Sequence, residues 1–163
     1  MDLHDIDTTN QHMMLSLAVF VASQAHLLQL DKGGEAYIAH PLRIMMRLRT
    51  QDPELMQIAL LHDVVEDHGE QYSLETLHQM GFSDRVLKAL TKLTHAPDVD
   101  YMDYIYAMSN NIDCVRVKME DLRDNSDITR LKGVTDNDVL RTRKYHLAYT
   151  YLKQRRIEMM KPQ

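Results

Sequence analysis

The chain has 163 residues, of which 44% are hydrophobic, with a net charge of −5 and one cysteine. This length predicts a single domain over residues 1–163, with its core at about residues 11–156. The negative charge argues against a nucleic-acid partner, and a lone cysteine excludes an internal disulfide framework. No apolar run reaches the roughly 18 residues of a membrane span, and the acidic, polar start is unlike a signal peptide. We therefore expect a cytoplasmic protein without a membrane partner.

Apolar residues recur three and four positions apart along most of the chain, and this pattern predicts an all-α fold. Expected starts include Ser73 and Ser83 as N-caps and Thr135 or Asp136 before the last helix. Glycines at positions 33–34 and 81 are expected to end helices. No strand or repeat is predicted. The expected helices cover about residues 11–30, 37–49, 53–66, 73–80, 83–94, 101–109, 112–124 and 136–156.

Ionisable residues adjoin an apolar helical run at His62-Asp63 and continue to Glu66 and Asp67. At spacings of i, i+1, i+4 and i+5, these four residues are expected to share one helix face. Charges beside so much apolar surface need compensation, which a divalent metal would provide. The alternative is a solvated helix end that holds one ion pair.

Two further positions complete a candidate metal site. His40 follows a glycine loop and precedes Pro41, and Asp121 lies in a polar helix with Asn125 four residues later. Alone, His40 fits a buried core histidine and Asp121 fits a surface carboxylate. Together with His62-Asp63 they form a two-histidine, two-carboxylate set, which suits a borderline or hard divalent ion such as Mn²⁺.

These positions resemble a known family. His40, His62-Asp63 and Asp121 match the H…HD…D signature of the HD phosphohydrolase superfamily. The sequence around them is similar to that of the hydrolase domain of RelA/SpoT-type proteins, at Ala25-His26 and at residues 32–41, 59–67, 117–121 and 125. The resemblance runs from about residue 16 to residue 155. It implies an all-α HD domain that removes the 3′-pyrophosphate from guanosine tetra- and pentaphosphate. With no room for a synthetase domain, the chain resembles the small hydrolase-only bacterial relatives.

The resemblance also implies roles. His40, His62, Asp63 and Asp121 would hold one Mn²⁺, and the carboxylates of Glu66 and Asp67 would orient or deprotonate the attacking water.

Substrate residues are less specific. Lys32 is the candidate cation for the phosphates, unless it is a solvated loop lysine. Asn125 would bond the ribose or orient Asp121, or else cap a helix. Arg141 and Tyr145 match a pair that contacts phosphates in related small hydrolases, but Arg141 also fits a solvated basic helix face. No role is assigned to His4, His12, His26, His68, His78, His95 and His146.

This sequence departs from the motifs of the family at two places that affect substrate choice. Asp31 stands where an arginine usually precedes the lysine of the glycine loop. Residues 121–125 are Asp-Leu-Arg-Asp-Asn, whereas the family usually has Asp-Arg-Leu-His-Asn. We expect Asp31 to face the polyphosphate or guanine and to alter recognition, while the metal chemistry stays intact.

Three hypotheses follow. The first is an enzyme acting on guanosine polyphosphates or on another phosphorylated nucleotide or dinucleotide. The second is a degenerate HD module that senses a nucleotide, and the third is a helical adaptor. The expected partner is a small phosphorylated nucleotide, and a homo-oligomer is left open.

Overall fold

The computed structural model describes residues 6–161 of the chain, so His4 lies outside the described part. The fold is all-α, as predicted: the described residues contain nine α-helices and are 66% helical, without a strand. A 3₁₀ helix precedes the last α-helix. The helices are α1 (Gln11–Ala25), α2 (Ala39–Arg47), α3 (Pro53–Leu61), α4 (Val64–His68), α5 (Leu74–Gln79), α6 (Asp84–Leu93), α7 (Tyr101–Met108), α8 (Ile112–Asn125), the 3₁₀ helix Ile128–Arg130 and α9 (Asp136–Met159).

The helix starts follow their predicted caps. Ser73 and Ser83 accept hydrogen bonds from backbone N–H groups in the first turns of α5 and α6. Thr135 forms a capping box with Asp138 at the start of α9, so Thr135 and not Asp136 is the cap. Such caps satisfy N–H groups that have no partner inside the helix, which is why these boundaries were predictable.

The first helix ends five residues earlier than predicted, at Ala25 and not at about residue 30. The apolar residues beyond it do not reach the core, since Leu27 and Leu28 are 68% and 94% exposed. The chain instead turns toward a loop that an isolated bridge between Leu30 and Ala36 closes. A helix beyond Ala25 would have gained no burial to stabilise it.

Helix α3 lies at the centre of the core. Six of its residues, Leu55 and Gln57–Leu61, are buried, and the helix packs against α1, α2, α6 and α8. A helix that is apolar on all sides belongs in such a position. It is only nine residues long. Within residues 6–161 no helix has the length and apolar character needed to cross a membrane.

The predicted helix over residues 53–66 is interrupted, which corrects the expectation of one continuous face. α3 ends at Leu61, His62 and Asp63 form a turn, and α4 begins at Val64. The Nδ1 atom of His62 donates to the carbonyl oxygen of Ala59, 2.8 Å away. In a continuous helix, that carbonyl would accept from the Asp63 N–H. The side chain therefore competes with the backbone at the point where the helix breaks.

Candidate metal centre and its cleft

Four side chains predicted to bind a metal converge. His40 comes from α2, His62 and Asp63 from the turn between α3 and α4, and Asp121 from α8. The His62 Nε2 atom lies 3.0 Å from Asp63 Oδ2 and 3.8 Å from Asp121 Oδ1. The His40 Nε2 atom lies 3.6 Å from Asp63 Oδ2 and 3.2 Å from Asp121 Oδ1. Ligands about 2.0–2.2 Å from a common ion would show separations of this size.

The hydrogen bonds of the two histidines leave the inward nitrogens available. Nδ1 of His62 faces the Ala59 carbonyl oxygen, and Nδ1 of His40 faces the Asp124 carboxylate, each at 2.8 Å. Because both partners only accept, both Nδ1 atoms carry hydrogen, and each ring presents a lone pair at Nε2 once that nitrogen has released its proton. Both Nε2 atoms are buried without a hydrogen-bond partner. Two buried lone pairs between two carboxylates fit a divalent cation.

Neighbouring donors orient the two carboxylates. The Tyr37 hydroxyl donates to Asp63 Oδ2 at 2.5 Å. The ammonium of Lys118 lies 2.8 Å from Asp121 Oδ2, and Asn125 Nδ2 donates to Asp121 Oδ1 at 2.5 Å. The contact from Asn125 is the one expected of a residue that orients Asp121.

The charges of the metal-free site compensate one another. Burial lowers the pKa of His62, but Asp63 and Asp121 outweigh it and raise that pKa to about 10. Burial likewise raises the pKa of Asp121, but Lys118 and the two histidines hold it well below its usual value. Protons on the histidines thus occupy the place of positive charge that a metal ion would supply, and metal binding would release them.

Asp124 supports His40 from behind. Its side chain is fully buried. It accepts from Arg43 through both Nε and Nη2 and from Arg47 Nη1, each at 2.8 Å. Arg130 Nη2 donates to its backbone oxygen at 2.8 Å. Burial alone would raise the pKa of Asp124, but Arg43, His40 and Arg130 outweigh it and hold that pKa below its usual range. This ionised carboxylate fixes the tautomer and the orientation of His40.

Nine of the ten predicted site residues line one cleft. Its volume is about 580 Å³, and its wall includes polar side chains from the glycine loop, α4, α7, α8 and α9. His62 lies behind the other metal candidates and does not line it. The predicted residues in the wall are Lys32, His40, Asp63, Glu66, Asp67, Asp121, Asn125, Arg141 and Tyr145.

The two candidate catalytic carboxylates are exposed and face the cleft from α4. Glu66 Oε2 accepts from the His95 N–H at 2.8 Å. Asp67 Oδ2 accepts from Gln29 Nε2 at 3.0 Å. Each carboxylate is therefore held through one of its oxygens, and both line the same cleft as Asp63 despite the helix break.

Cations from the glycine loop and from α9 line the same cleft. Burial lowers the pKa of Lys32, and the nearby Arg141 and Lys144 lower it further. Arg141 lies 2.9 Å from Asp138, while Lys144 lies 4.3 Å from the ring centre of Tyr101. Like charges that repel one another in the free protein are stabilised by a bound anion.

Asp31 is not the free negative charge that the sequence led us to expect. It lines the cleft, but its Oδ1 accepts from the N–H groups of Gly33 and Glu35, at 2.8 and 3.0 Å. Its Oδ2 lies 2.9 Å from Arg130 Nη1. A Cβ on Gly33 would approach the carbonyl oxygen of Arg130 to 2.6 Å, so the glycine lets the loop contact this segment. Asp31 thus shapes the loop and brings a cation to the cleft wall.

A second set of potential ligands, which the sequence did not indicate, adjoins the first. Ligand atoms of His26, Asp67 and His68 lie within 4.8 Å of one another. Gln29 connects them: its Oε1 lies 2.6 Å from His26 Nδ1 and 3.1 Å from His68 Nε2, and its Nε2 donates to Asp67. These hydrogen bonds join the set into a network that holds Asp67.

Sequence reasoning assigned no role to several cleft residues. Lys118, in the cleft wall, and Asp124, which contacts His40 but does not line the cleft, lie three residues before and after Asp121, a helical spacing that could have indicated both. Tyr37 lay within the matched motif and was passed over. Tyr101, Lys144 and Arg130 carried no local signal, because only the packing of α7, α9 and the 3₁₀ helix brings them to the cleft.

Comparison with known proteins gives a consistent relationship. The chain is 32% identical over 126 residues to the bifunctional (p)ppGpp synthase/hydrolase SpoT of Escherichia coli, covering 71% of the chain and 18% of that protein. It is 29% identical over 127 residues to a probable guanosine-3′,5′-bis(diphosphate) 3′-pyrophosphohydrolase of Synechocystis, covering 71% and 16%. A probable GTP pyrophosphokinase of Mycobacterium leprae is 42% identical over 78 residues, covering 45% and 10%.

No protein-family model matches the chain. The chain spans between about a tenth and a fifth of the length of these curated relatives. Their similarity supports a relationship between this chain and the RelA/SpoT-type (p)ppGpp hydrolases and synthetases, several of which are named as hydrolases.

Proposed function

We propose that the chain is a metal-dependent phosphohydrolase that removes pyrophosphate from the 3′ position of guanosine tetra- or pentaphosphate. The observation that carries this proposal is the pair of buried, unpartnered Nε2 atoms of His40 and His62 beside Asp63 and Asp121. The relatives named as 3′-pyrophosphohydrolases support the substrate class. The oxygen-rich wall of the site favours Mn²⁺ over a thiolate-seeking ion.

The metal would be held by His40, His62, Asp63 and Asp121. When bound, it supplies Lewis-acid chemistry, because it lowers the pKa of a water molecule and polarises a phosphoryl oxygen. Asp124 keeps the His40 lone pair aimed at the centre, and Lys118 keeps one oxygen of Asp121 directed away from it.

Glu66 is the proposed general base. Its Oε2 is held by the His95 N–H, which leaves Oε1 to accept a proton from the attacking water. The water oxygen bonds to the phosphorus attached to the ribose 3′ oxygen, and the bond between that phosphorus and the 3′ oxygen breaks. The 3′ oxygen takes up one proton as the water loses one, so the products are guanosine 5′-diphosphate, or 5′-triphosphate from the pentaphosphate, and pyrophosphate. Asp67, held by Gln29, would orient the same water.

The cations of the cleft would bind the substrate phosphates. Lys32, Arg141 and Lys144 converge there, and Tyr145 presents its ring beside them. The charge of Arg141 is partly neutralised by Asp138, so Lys32 and Lys144 carry most of this role.

A screen tests the proposal. Purified protein is supplied with Mn²⁺ or treated with a chelator and assayed for release of pyrophosphate from guanosine tetraphosphate, simple nucleotides and dinucleotide phosphates. We expect Mn²⁺-dependent release from guanosine tetraphosphate. His62→Ala or Asp63→Ala should lose metal and turnover together, since either removes a ligand.

Glu66→Gln separates an enzyme from a nucleotide sensor. It should keep the metal but slow turnover by about 10²–10⁴-fold, the usual contribution of a general base. Glu70→Gln, a neighbouring exposed carboxylate outside the cleft, is the matched control and should turn over normally. Wild-type turnover by Glu66→Gln would show that Glu66 is not the base. Tight guanosine tetraphosphate binding without any turnover in the wild type would favour the sensor.

The partly buried pairing of Asp31 with Arg130 favours a second candidate within the same class. The pairing places Arg130, from the 3₁₀ helix, in the cleft wall, whereas the family usually has its arginine in the glycine loop. Another phosphorylated nucleotide, preferred over guanosine tetraphosphate in the same screen, would select that alternative.

A further inference from the structure

A second pocket lies on the opposite side of α8 from the metal centre. Its volume is about 570 Å³, and five arginines and one carboxylate line it. The charged residues are Arg47, Arg49, Arg116, Glu120, Arg123 and Arg156, and Leu48 completes the lining; we call the site the arginine pocket. It contains five of the eleven arginines of a chain whose net charge is −5, and no lysine.

The position of the pocket follows from the register of α8. Arg116, Glu120 and Arg123 are spaced i, i+4 and i+7 and share one face of that helix. Lys118 and Asp121 occupy roughly the opposite face, toward the metal centre. The two cavities are therefore separate sites on one helix.

Most of the positive charge in the arginine pocket is not neutralised. Glu120 pairs with Arg123 at 2.6 Å. Arg49, Arg116 and Arg156 form no salt bridge or side-chain hydrogen bond with any residue in the described range 6–161. Three unpaired guanidinium groups around one concavity repel one another, and a bound anion would remove that repulsion.

Arg49 adds a backbone observation. Its φ angle is +46°, and it is the one residue other than glycine with a positive φ among residues 6–161. This conformation is uncommon for a residue with a Cβ and costs free energy. The residue that has this unfavourable conformation is itself one of the arginines that line the pocket, and it lies just after the end of α2.

We propose that the arginine pocket binds an anion carrying a diphosphate group, either free pyrophosphate or the diphosphate of a nucleotide. Guanidinium groups bond phosphate oxygens in pairs, and lysine does not offer this geometry. The volume exceeds that of one phosphate and lies within the range of small-molecule sites. The site is distinct from the proposed catalytic cleft.

Calorimetric titration of metal-free, full-length protein with pyrophosphate tests the proposal. The background carries Lys32→Gln and Lys144→Gln, so that binding in the cleft is weakened. In this background, Arg116→Gln/Arg156→Gln should bind pyrophosphate about 100-fold more weakly, given the usual strength of two charged hydrogen-bond partners. Arg143→Gln/Lys153→Gln removes the same charge from exposed positions of α9 outside both pockets and should bind normally.

Circular dichroism melting shows whether each variant is folded, and Arg156→Gln alone replaces the double variant if that variant is not. Equal pyrophosphate affinity in the pocket and control variants overturns the proposal. GDP should bind the pocket and GMP only weakly; GMP binding as tightly as GDP overturns the diphosphate assignment. Pocket-dependent binding of a single-stranded RNA without binding of pyrophosphate also overturns it.

Discussion

Two charge clusters in this protein have opposite compositions. In the Asp124 cluster, one buried carboxylate is surrounded by Arg43, Arg47 and Arg130. In the Arg85 cluster, one arginine is surrounded by Asp52, Glu54 and Asp113, with nearest distances of 2.6, 3.1 and 2.8 Å. Both use the same pairing, yet they contact different parts of the molecule.

The difference lies in the additional contacts of each cluster. Asp124 is fully buried and accepts from His40, so its charge reaches the metal centre. Arg85 is 38% exposed, and its partners stand at the starts of α3 and α8. Asp52 caps α3 while it binds Arg85. We infer that the Asp124 cluster mainly serves the site, whereas the Arg85 cluster mainly holds three helices together.

The largest expected effect is on metal binding. Asp124→Asn removes the charge that fixes His40 and leaves Arg43 and Arg47 without their counter-ion, whereas Arg130 keeps its contact with Asp31. Such a change beside a ligand typically lowers metal affinity by about 10–100-fold. Calorimetric titration with Mn²⁺ measures it, with Asp103→Asn, an exposed carboxylate of α7 outside both pockets, as the control. Wild-type affinity in Asp124→Asn would show that the cluster does not support His40.

For a substitution of Arg85 we expect a loss of stability without a loss of Mn²⁺ affinity. Arg85→Met leaves three carboxylates near one another and should lower the free energy of unfolding by about 1–3 kcal/mol, discounted for the partial exposure of the pair. Mn²⁺ affinity should not change. Urea unfolding measures the first quantity and calorimetry the second. Lys88→Met, on the same helix at a position 74% exposed, is the control and should change stability by less than about 0.5 kcal/mol. A loss of Mn²⁺ affinity in Arg85→Met would remove the distinction between the clusters.

How far each cluster could be predicted depends on sequence distance. Helix positions followed from local periodicity and caps such as Ser73 and Thr135, and the metal candidates followed from short motifs around His62. The partner of His40 could not be predicted in this way, since Asp124 lies 84 positions away. Its place in an altered motif was interpreted only as a departure from the family pattern, whereas the structure shows a buried contact with His40.

The same limit applies to charge. The acidic Asp31 was expected to face the substrate and alter its recognition, because its partner Arg130 is 99 positions away and the sequence does not indicate the pair. Conversely, the arginine pocket combines residues from α2, α8 and α9 that no local pattern joins. Packing decides which charges neutralise each other, and one sequence does not contain that information in readable form.

A smaller effect on Mn²⁺ affinity is expected when one arginine of the Asp124 cluster is replaced. Arg47 is 39% exposed, and Asp124 keeps Arg43 and Arg130 when Arg47 is replaced. Arg47→Gln should therefore lower Mn²⁺ affinity by no more than about fivefold, the size of a partly exposed ion pair. The same calorimetric titration tests it. An effect as large as that of Asp124→Asn would mean that Arg47 alone carries the support of His40.

The smallest effect concerns pH and the Arg85 cluster. Burial raises the pKa of Asp52, but Arg85 and the N–H groups of Leu55 and Glu54 outweigh it and hold that pKa below its usual value. A carboxylate with a lowered pKa in the folded state stabilises the protein above its unfolded pKa of about 4, and this stabilisation is lost as the pH falls through the folded value. The stability difference between wild type and Arg85→Met should therefore be complete at neutral pH and shrink below about pH 4. Urea unfolding of both proteins at several pH values measures the difference, and other titrating carboxylates largely cancel because both proteins contain them. A difference that stays constant or grows on acidification would show that the Arg85 cluster stabilises the helices through packing of the arginine side chain and not through its charge.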